Sequence, residues 1–404
     1  MSATATSSID LLDERALESP YPVYEAMRRM GPAVYLERHG VWAIPRYDEV
    51  SSVLGAPDVF RAEGDQLLTP LAGVILPCDG EQHVRMRQVL AHRLAPRAVA
   101  RLQGQLADRA RQLVAKHSVG GGFDAVALAH EMAVSTVMDL MGLPESTRVP
   151  ALASAFATSA DGSAADVPGP PAEQAMVAFL SATAGSGTVR RGSWMETIVQ
   201  AVEAGKIDGR EAIPLAAAYT AAGIDSTVLG LAGAIVQLSR HPDQWSHLRE
   251  EPSCAEAAFH EAVRLDAPVQ GVGRLVRERV YLDGVRLEPG ERVWLLIGSA
   301  GRDPRKWGLT TDEYNPWRPG ADKHLSLGTG SHGCPGRYLA LMQGRALLRA
   351  LADHCTTLTP DGAPTRAQTH IRRGFTTAPI AITTVVHRAK ARRATLPHLF
   401  ESPR

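Results

Sequence analysis

Apolar residues along the chain recur mostly at helical spacing. Tyr21, Val23, Tyr24 and Met27 share one helical face over residues 20–30, and Gly31-Pro32 ends the run. Two short apolar runs, Val34–Leu36 and Val41–Ile44, flank a turn at His39-Gly40 and predict a β-hairpin. Helical periodicity returns at 48–54, 80–94, 96–116 and 126–141, each stretch closing near Gly or Pro. From 211 to 240 the pattern predicts one helix of roughly 45 Å at 1.5 Å per residue, stopped by His241-Pro242. A helix at 255–266 follows, then strands at Val280–Leu282, 293–297 and 380–386, with a turn at Asp283-Gly284. Stretches 160–172 and 184–192 are rich in Gly, Pro and Ser and read as exposed loops within a domain. The expected class is α+β, mostly α, as one large domain over 16–388 with a flexible N-terminus at 1–15 and a tail at 389–404.

Composition narrows the function classes. The 43 Lys and Arg balance the 43 Asp and Glu, so no global field favours nucleic acid or an anionic membrane. Cys78, Cys254, Cys334 and Cys355 lie far apart without a CxxC pair, which argues against a disulfide framework and structural zinc. Residues 1–8 are small and polar, and the apolar run 216–238 is interrupted by Asp225, Ser226 and Gln237. The expectation is a soluble, cytoplasmic, small-molecule protein.

Two places carry chemistry. In the long helix, Ala221-Ala222-Gly223-Ile224-Asp225-Ser226-Thr227 puts a glycine and three polar groups where a buried helix is ordinarily apolar. An acid beside an alcohol can relay protons through water, whereas hydroxyl back-bonding could simply kink the helix. Downstream, Leu327-Gly328-Thr329-Gly330-Ser331-His332-Gly333-Cys334-Pro335-Gly336-Arg337 precedes a helical pattern. Its glycines permit close approach of a flat ligand, and Pro335 suits a first helical position. A cysteine at a positive helix end is expected to have a lowered pKa, favouring the thiolate that binds iron.

This loop resembles the haem-binding loop of the cytochrome P450 family, F-G-x-G-x-H-x-C-x-G, with Gly328, Gly330, His332, Cys334 and Gly336 in order and Leu327 replacing the phenylalanine. The resemblance implies that Cys334 ligates the iron of haem b and that His332 approaches a propionate. It also makes His83 and Arg87 of an H-x-x-x-R helix, and Arg274, propionate ligands. Ala222-Gly223-Ile224-Asp225-Ser226 resembles the family's oxygen-activating motif, with Ser226 in place of threonine and Thr227 as a possible substitute. Glu261, Arg264 and Arg318 correspond to a structural Glu-Arg-Arg network. Through the same resemblance Leu71, Val74, Ile75, Ala222, Gln270, Gly271, Val272, Phe375 and Thr376 approach the substrate pocket.

The resemblance implies a monooxygenase that takes O2 and receives electrons from NAD(P)H through a ferredoxin and ferredoxin reductase. Arg85, Arg93, Arg97, Arg101 and Arg345 are candidates for a basic docking face, or for an ordinary solvated surface. Hydroxylation or oxidative demethylation of a small to medium organic molecule, in natural-product tailoring or aromatic-acid oxidation, is the expected reaction. The alternatives are a peroxide-driven peroxygenase and a non-catalytic haem or ligand-binding protein.

Overall fold

The computed structural model describes residues 5–62, 78–143, 189–367 and 371–385. The helices that frame the site are α1 (Tyr21–Met30), α2 (Gly80–Leu94), α3 (Gln103–His117), α4 (Ala125–Met141), α5 (Trp194–Glu203), α6 (Gly209–Arg240), α7 (Ala255–Leu265) and α8 (Arg337–His354).

Helix α6 begins in a capping box. The Asp208 side chain accepts from the Arg210 N–H at 2.7 Å, and Glu211 returns to accept from the Asp208 N–H at 2.8 Å. By length and composition alone this helix could cross a membrane. Its side chains instead enter the main core, where Leu215, Ile224, Leu231 and Ile235 are buried among residues of α4, α7 and α8. Close approach is arranged with missing side chains. A Cβ at Gly230 of α6 would lie 3.3 Å from Phe259 Cζ of α7, and one at Gly344 of α8 would lie 2.5 Å from Phe259 Cγ. One aromatic ring therefore wedges three helices together, in a core whose close packing tolerates no extra volume there.

A six-stranded sheet lies beside the helices. Its spatial order is Thr6–Ser7, Val34–Leu36, Val41–Ile44, Arg292–Leu295, Val272–Val276 and Phe60–Arg61. The predicted hairpin forms with Val34 opposite Ala43 and Leu36 opposite Val41, turned at Gly40 with φ of 61°. The second hairpin joins Val280–Leu282 to Val285–Leu287 through Asp283 and Gly284, at φ of 46° and 81°, the conformation that Asp-Gly favours in tight turns.

Several boundaries differ from the sequence reading. Thr6–Ser7 pairs in parallel with Tyr35–Leu36, and Asp13 caps a short helix at Glu14–Glu18, so residues 6–15 are tied to the sheet rather than free. The expected helix at 96–116 is two helices, Pro96–Ala100 and α3, separated by a turn at Arg101 and Leu102. The strand expected at 293–297 closes at Leu295, and Ile297–Ala300 turns into a short helix. The last strand is Pro379–Thr384, antiparallel to Cys355–Pro360. Residues 160–172, most of 184–192 and the tail from 389 lie outside the described residues.

Candidate active site

The cysteine loop folds on its own backbone. Cys334 N–H donates to Leu327 O at 2.8 Å, Gly333 N–H to Gly330 O at 3.1 Å and Gly328 N–H to Leu325 O at 2.8 Å. Gly330 has φ of 68°, and a Cβ there would stand 2.5 Å from Leu54 O; its lack of a side chain admits the end of a neighbouring helix rather than a ligand. Helix α8 starts at Arg337 with Gly336 as its cap, so Pro335 lies in the preceding turn and not at the first helical position. The electrostatic expectation also changes. Burial pushes the Cys334 thiol above its ordinary pKa, outweighing the Gly336 N–H and the Arg337 and Arg87 guanidiniums that pull it down. The helix end and cations are present as expected, but desolvation wins in the protein alone.

Histidine and arginine side chains gather beside this loop from separate elements. The His83 ring on α2 stacks on His332 at 4.2 Å between centroids, and His332 Nε2 meets Asp79 Oδ1 at 2.9 Å. Arg87, one turn after His83, donates to Gly333 O. Burial, then His332 and Arg87, lower the His83 pKa to about 4, so it is neutral at physiological pH. Arg274 is buried on its strand and donates to Gly273 O at 2.6 Å. A cleft of about 480 Å³ opens here, with Arg61, Asp79, His83, Arg85, Ser331 and His332 in its wall. The sequence reading missed Asp79, whose only signal was its place directly before a predicted helix.

The central stretch of α6 shows its purpose in burial. Ala221 and Ile224 are buried while Ala222, between them, is exposed. Ser226 Oγ donates back to Ala222 O at 2.8 Å, and the helix nevertheless runs unbroken through Gly223. Gly223 itself meets α4: a Cβ there would lie 3.1 Å from Val137 Cγ2, so its small size serves helix packing rather than open space. Thr227 is buried. Asp225 Oδ2 accepts from Arg372 Nη1, a partner the sequence reading did not find. Tyr219, on the same helical stripe as Ala222 and Ser226, is buried, and its hydroxyl has no hydrogen-bond partner among the described residues. Burial raises its pKa to about 12, with opposing effects from Arg87 and Cys334, which puts the phenol within electrostatic reach of the cysteine loop.

The Glu-Arg-Arg network is fully connected and buried. Glu261 accepts from Arg264 Nε at 2.6 Å, Arg264 Nη2 at 2.9 Å and Arg318 Nε at 2.9 Å, and from the Asn315 N–H at 3.0 Å. The remaining guanidinium donors reach carbonyls, Thr311 O from Arg264 and Trp307 O and Thr310 O from Arg318.

The expected pocket residues divide. Leu71, Val74 and Ile75 lie outside the described residues. Gln270 and Gly271 serve local packing: Gln270 Nε2 donates to Ala267 O at 2.7 Å, and a Cβ at Gly271 would strike Trp294 Nε1 at 1.9 Å. Val272 packs on the sheet-side core, Phe375 is buried under Arg366 at 4.3 Å, and Thr376 is exposed. Of the candidate docking arginines, Arg85 pairs with Glu211 at 2.7 Å, Arg93 donates to Thr197 at 3.1 Å and Arg345 lies 3.5 Å from Glu256. Arg97 and Arg101 are exposed.

A family model described as Cytochrome P450 matches residues 200–383. Cytochrome P450 CYP199A2 of Rhodopseudomonas palustris is 33% identical over 386 residues, covering 90% of this chain and 91% of that protein. The chain belongs to the cytochrome P450 family. The cytochrome P450 monooxygenase PikC of Streptomyces venezuelae is 28% identical, with 89% of this chain and 90% of PikC covered. The crystal structure of CalO2 superposes with a TM-score of 0.83 at 26% identity, over 94% of this chain and 99% of CalO2. This P450 is an oxidoreductase, a monooxygenase with the family's mostly helical α+β fold. The family implies haem, O2, a small-molecule substrate and a separate redox partner.

The residues present fit haem. A thiol is a soft ligand suited to iron, the Arg87 guanidinium with the hydrogen-bonding rings of His83 and His332 suits two carboxylates, and exposed Ala222 offers a small surface to a flat ring. The orphaned Tyr219 hydroxyl is the kind of buried donor that a bound group satisfies.

Proposed function

We propose that this P450 holds haem b through Cys334 and inserts one oxygen atom of O2 into a small to medium, largely apolar organic substrate. C–H hydroxylation and oxidative demethylation are the two outcomes that fit, in natural-product tailoring or aromatic-acid oxidation. The single observation behind the reading is the cysteine loop, with its thiol beside the converging His83, Arg87 and His332.

In this reading His83, Arg87, Arg274 and His332 bind the propionates, and Gly328, Gly336 and Leu327 shape the loop around the sulfur. Bound haem supplies the activation of O2, with electrons from a separate redox partner. Asp225 and Ser226 hold and pass protons on the open side of α6, while Ala222, Val272, Phe375 and Thr376 contribute a mainly apolar wall against bulk water. Thr227, buried in the core, supports the helix. A ferredoxin and its reductase, fed by NAD(P)H, are the proposed electron source, with Arg97 and Arg101 as the exposed cations available to dock it. The proposed setting is cytoplasmic, and the catalytic domain is proposed to extend over 16–388.

The test is the spectrum of the dithionite-reduced protein with CO. A strongly red-shifted Soret band that is lost in Cys334→Ser is expected; a well-folded wild type without bound haem refutes the proposal. A screen of aromatic acids, macrolides and terpenes for substrate-induced spin shifts then assigns the substrate class.

A further inference from the structure

Both members of the acid–alcohol pair are committed to internal partners. Ser226 Oγ donates to Ala222 O, and Asp225 Oδ2 accepts from Arg372 Nη1, with the Asp225 and Arg372 side chains only 16% and 14% exposed. A carboxylate oxygen whose lone pair is engaged by a guanidinium is not free at that oxygen to take or pass a proton. Asp225 Oδ2 and the Ser226 hydroxyl proton are therefore both occupied as the pair stands.

Arg372 is fixed by the backbone around it. It bridges Val269, the Gln270 N–H donates to Ile371 O at 2.6 Å, and the Arg373 N–H donates to Pro268 O at 2.8 Å. Neighbouring side chains in an extended segment point in opposite directions. Arg373 accordingly turns away, to Asp266 at 2.8 Å and to Glu18 O at 3.0 Å, leaving Arg372 directed at α6. The same segment touches α6 one turn further on, where a Cβ at Gly374 would lie 2.3 Å from Leu229 Cδ2. Asp225 and Leu229 thus face one strip of chain that leads directly into Phe375 and Thr376, the proposed pocket wall.

We propose that Arg372 is a positioning residue that latches Asp225 in the resting protein. Proton delivery beside Ser226 opens only when substrate in the pocket shifts the Ile371 to Thr376 segment and loosens that ion pair. This rests on the function proposed above, because it assigns Asp225 to proton delivery. The role of Arg372 is to keep Asp225 away from its task while the pocket is empty, when protons reaching bound O2 would waste reductant. In that wasted cycle NADPH, one solvent proton and O2 leave as NADP⁺ and H2O2.

The test uses the haem-loaded protein with a surrogate ferredoxin and reductase and NADPH, without substrate. Arg372→Gln should release H2O2 several-fold faster than wild type, Arg372→Lys should return the leak toward wild type, and Arg372→Gln should add nothing in an Asp225→Asn background. Thermal unfolding of wild type, Arg372→Gln, Asp225→Asn and the double variant gives a readout independent of turnover. The cycle of Arg372→Gln and Asp225→Asn should show a coupling of about tenfold in the folding equilibrium, about 1.4 kcal/mol. An unchanged leak in Arg372→Gln, an equal increase in the Asp225→Asn background, or additive stabilities would each overturn the latch. A wild type with no red-shifted CO band overturns the haem reading instead, so the two failures are separable.

Discussion

Replacing Glu261 with alanine tests the buried network most directly. The side chain is fully buried and accepts four hydrogen bonds, three of them from the guanidiniums of Arg264 and Arg318. Without it, two guanidiniums remain in the interior with no anion among the groups that bond them, although each keeps its carbonyl acceptors. Removing one partner from such a buried arrangement costs ~3–5 kcal/mol, because the charge left behind is already out of water. At ~2.1 cal/mol/K of unfolding entropy per residue, a chain of about 400 residues loses ~4–6 °C in melting temperature. Differential scanning calorimetry of the haem-loaded protein measures it, with the CO spectrum reporting whether the cysteine loop still holds its ligand. Glu261→Gln should fall between wild type and alanine, since its carbonyl oxygen still accepts from Arg318 and Asn315 while its amide N–H opposes Arg264. A drop below ~1 °C for Glu261→Ala is what an exposed ion pair would give, and would refute the reasoning.

Gly330→Ala should destabilise the cysteine loop, because its φ of 68° and the contact with Leu54 O exclude a side chain; denaturant unfolding should show a loss of ~1–3 kcal/mol and weaker haem retention. Ala222→Leu should leave the melting temperature close to wild type while lowering haem content or substrate spin shift, since the residue is exposed inside an otherwise buried stretch. Burial pushes the Asp266 carboxyl up, but Arg366 and Arg373 outweigh it and hold its pKa below the ordinary 3.8. A depressed carboxylate pKa stabilises the fold above 3.8 and loses that contribution as pH falls through the folded value, so Asp266→Asn should flatten the acid limb of the stability curve. Burial raises the Cys355 thiol to about 12, so iodoacetamide at neutral pH should leave it unlabelled in the native protein and modify it after unfolding.

Local sequence determined much of this fold because its signals agreed with the packing. His39-Gly40 and Asp283-Gly284 turn where their conformational preferences put them, and the boundaries of α2 match the periodicity. The cysteine loop was legible because five positions had to match at once, and the Glu-Arg-Arg network because its members kept their order. What escaped depends on contacts between distant segments. Nothing near Arg372 in sequence announces Asp225, 147 positions away, and nothing near Gly223 announces Val137. The thiol pKa went the other way because a helix end is visible in sequence, whereas the depth of burial around Cys334 is not.

Helix α6 has a consequence for how the protein is made. Part of its apolar surface can be covered at once by α4, which precedes it in the chain, but the rest waits for Phe259 of α7 and for α8, which follow it. In that interval the segment has the length and hydropathy of a membrane span. Nascent chains halted between residues 240 and 337 should therefore be the most dependent on chaperones and the most open to mistargeting. A gene split in that interval would yield two poorly soluble halves, because the helix that carries the proposed oxygen chemistry is fully shielded only when the second half arrives.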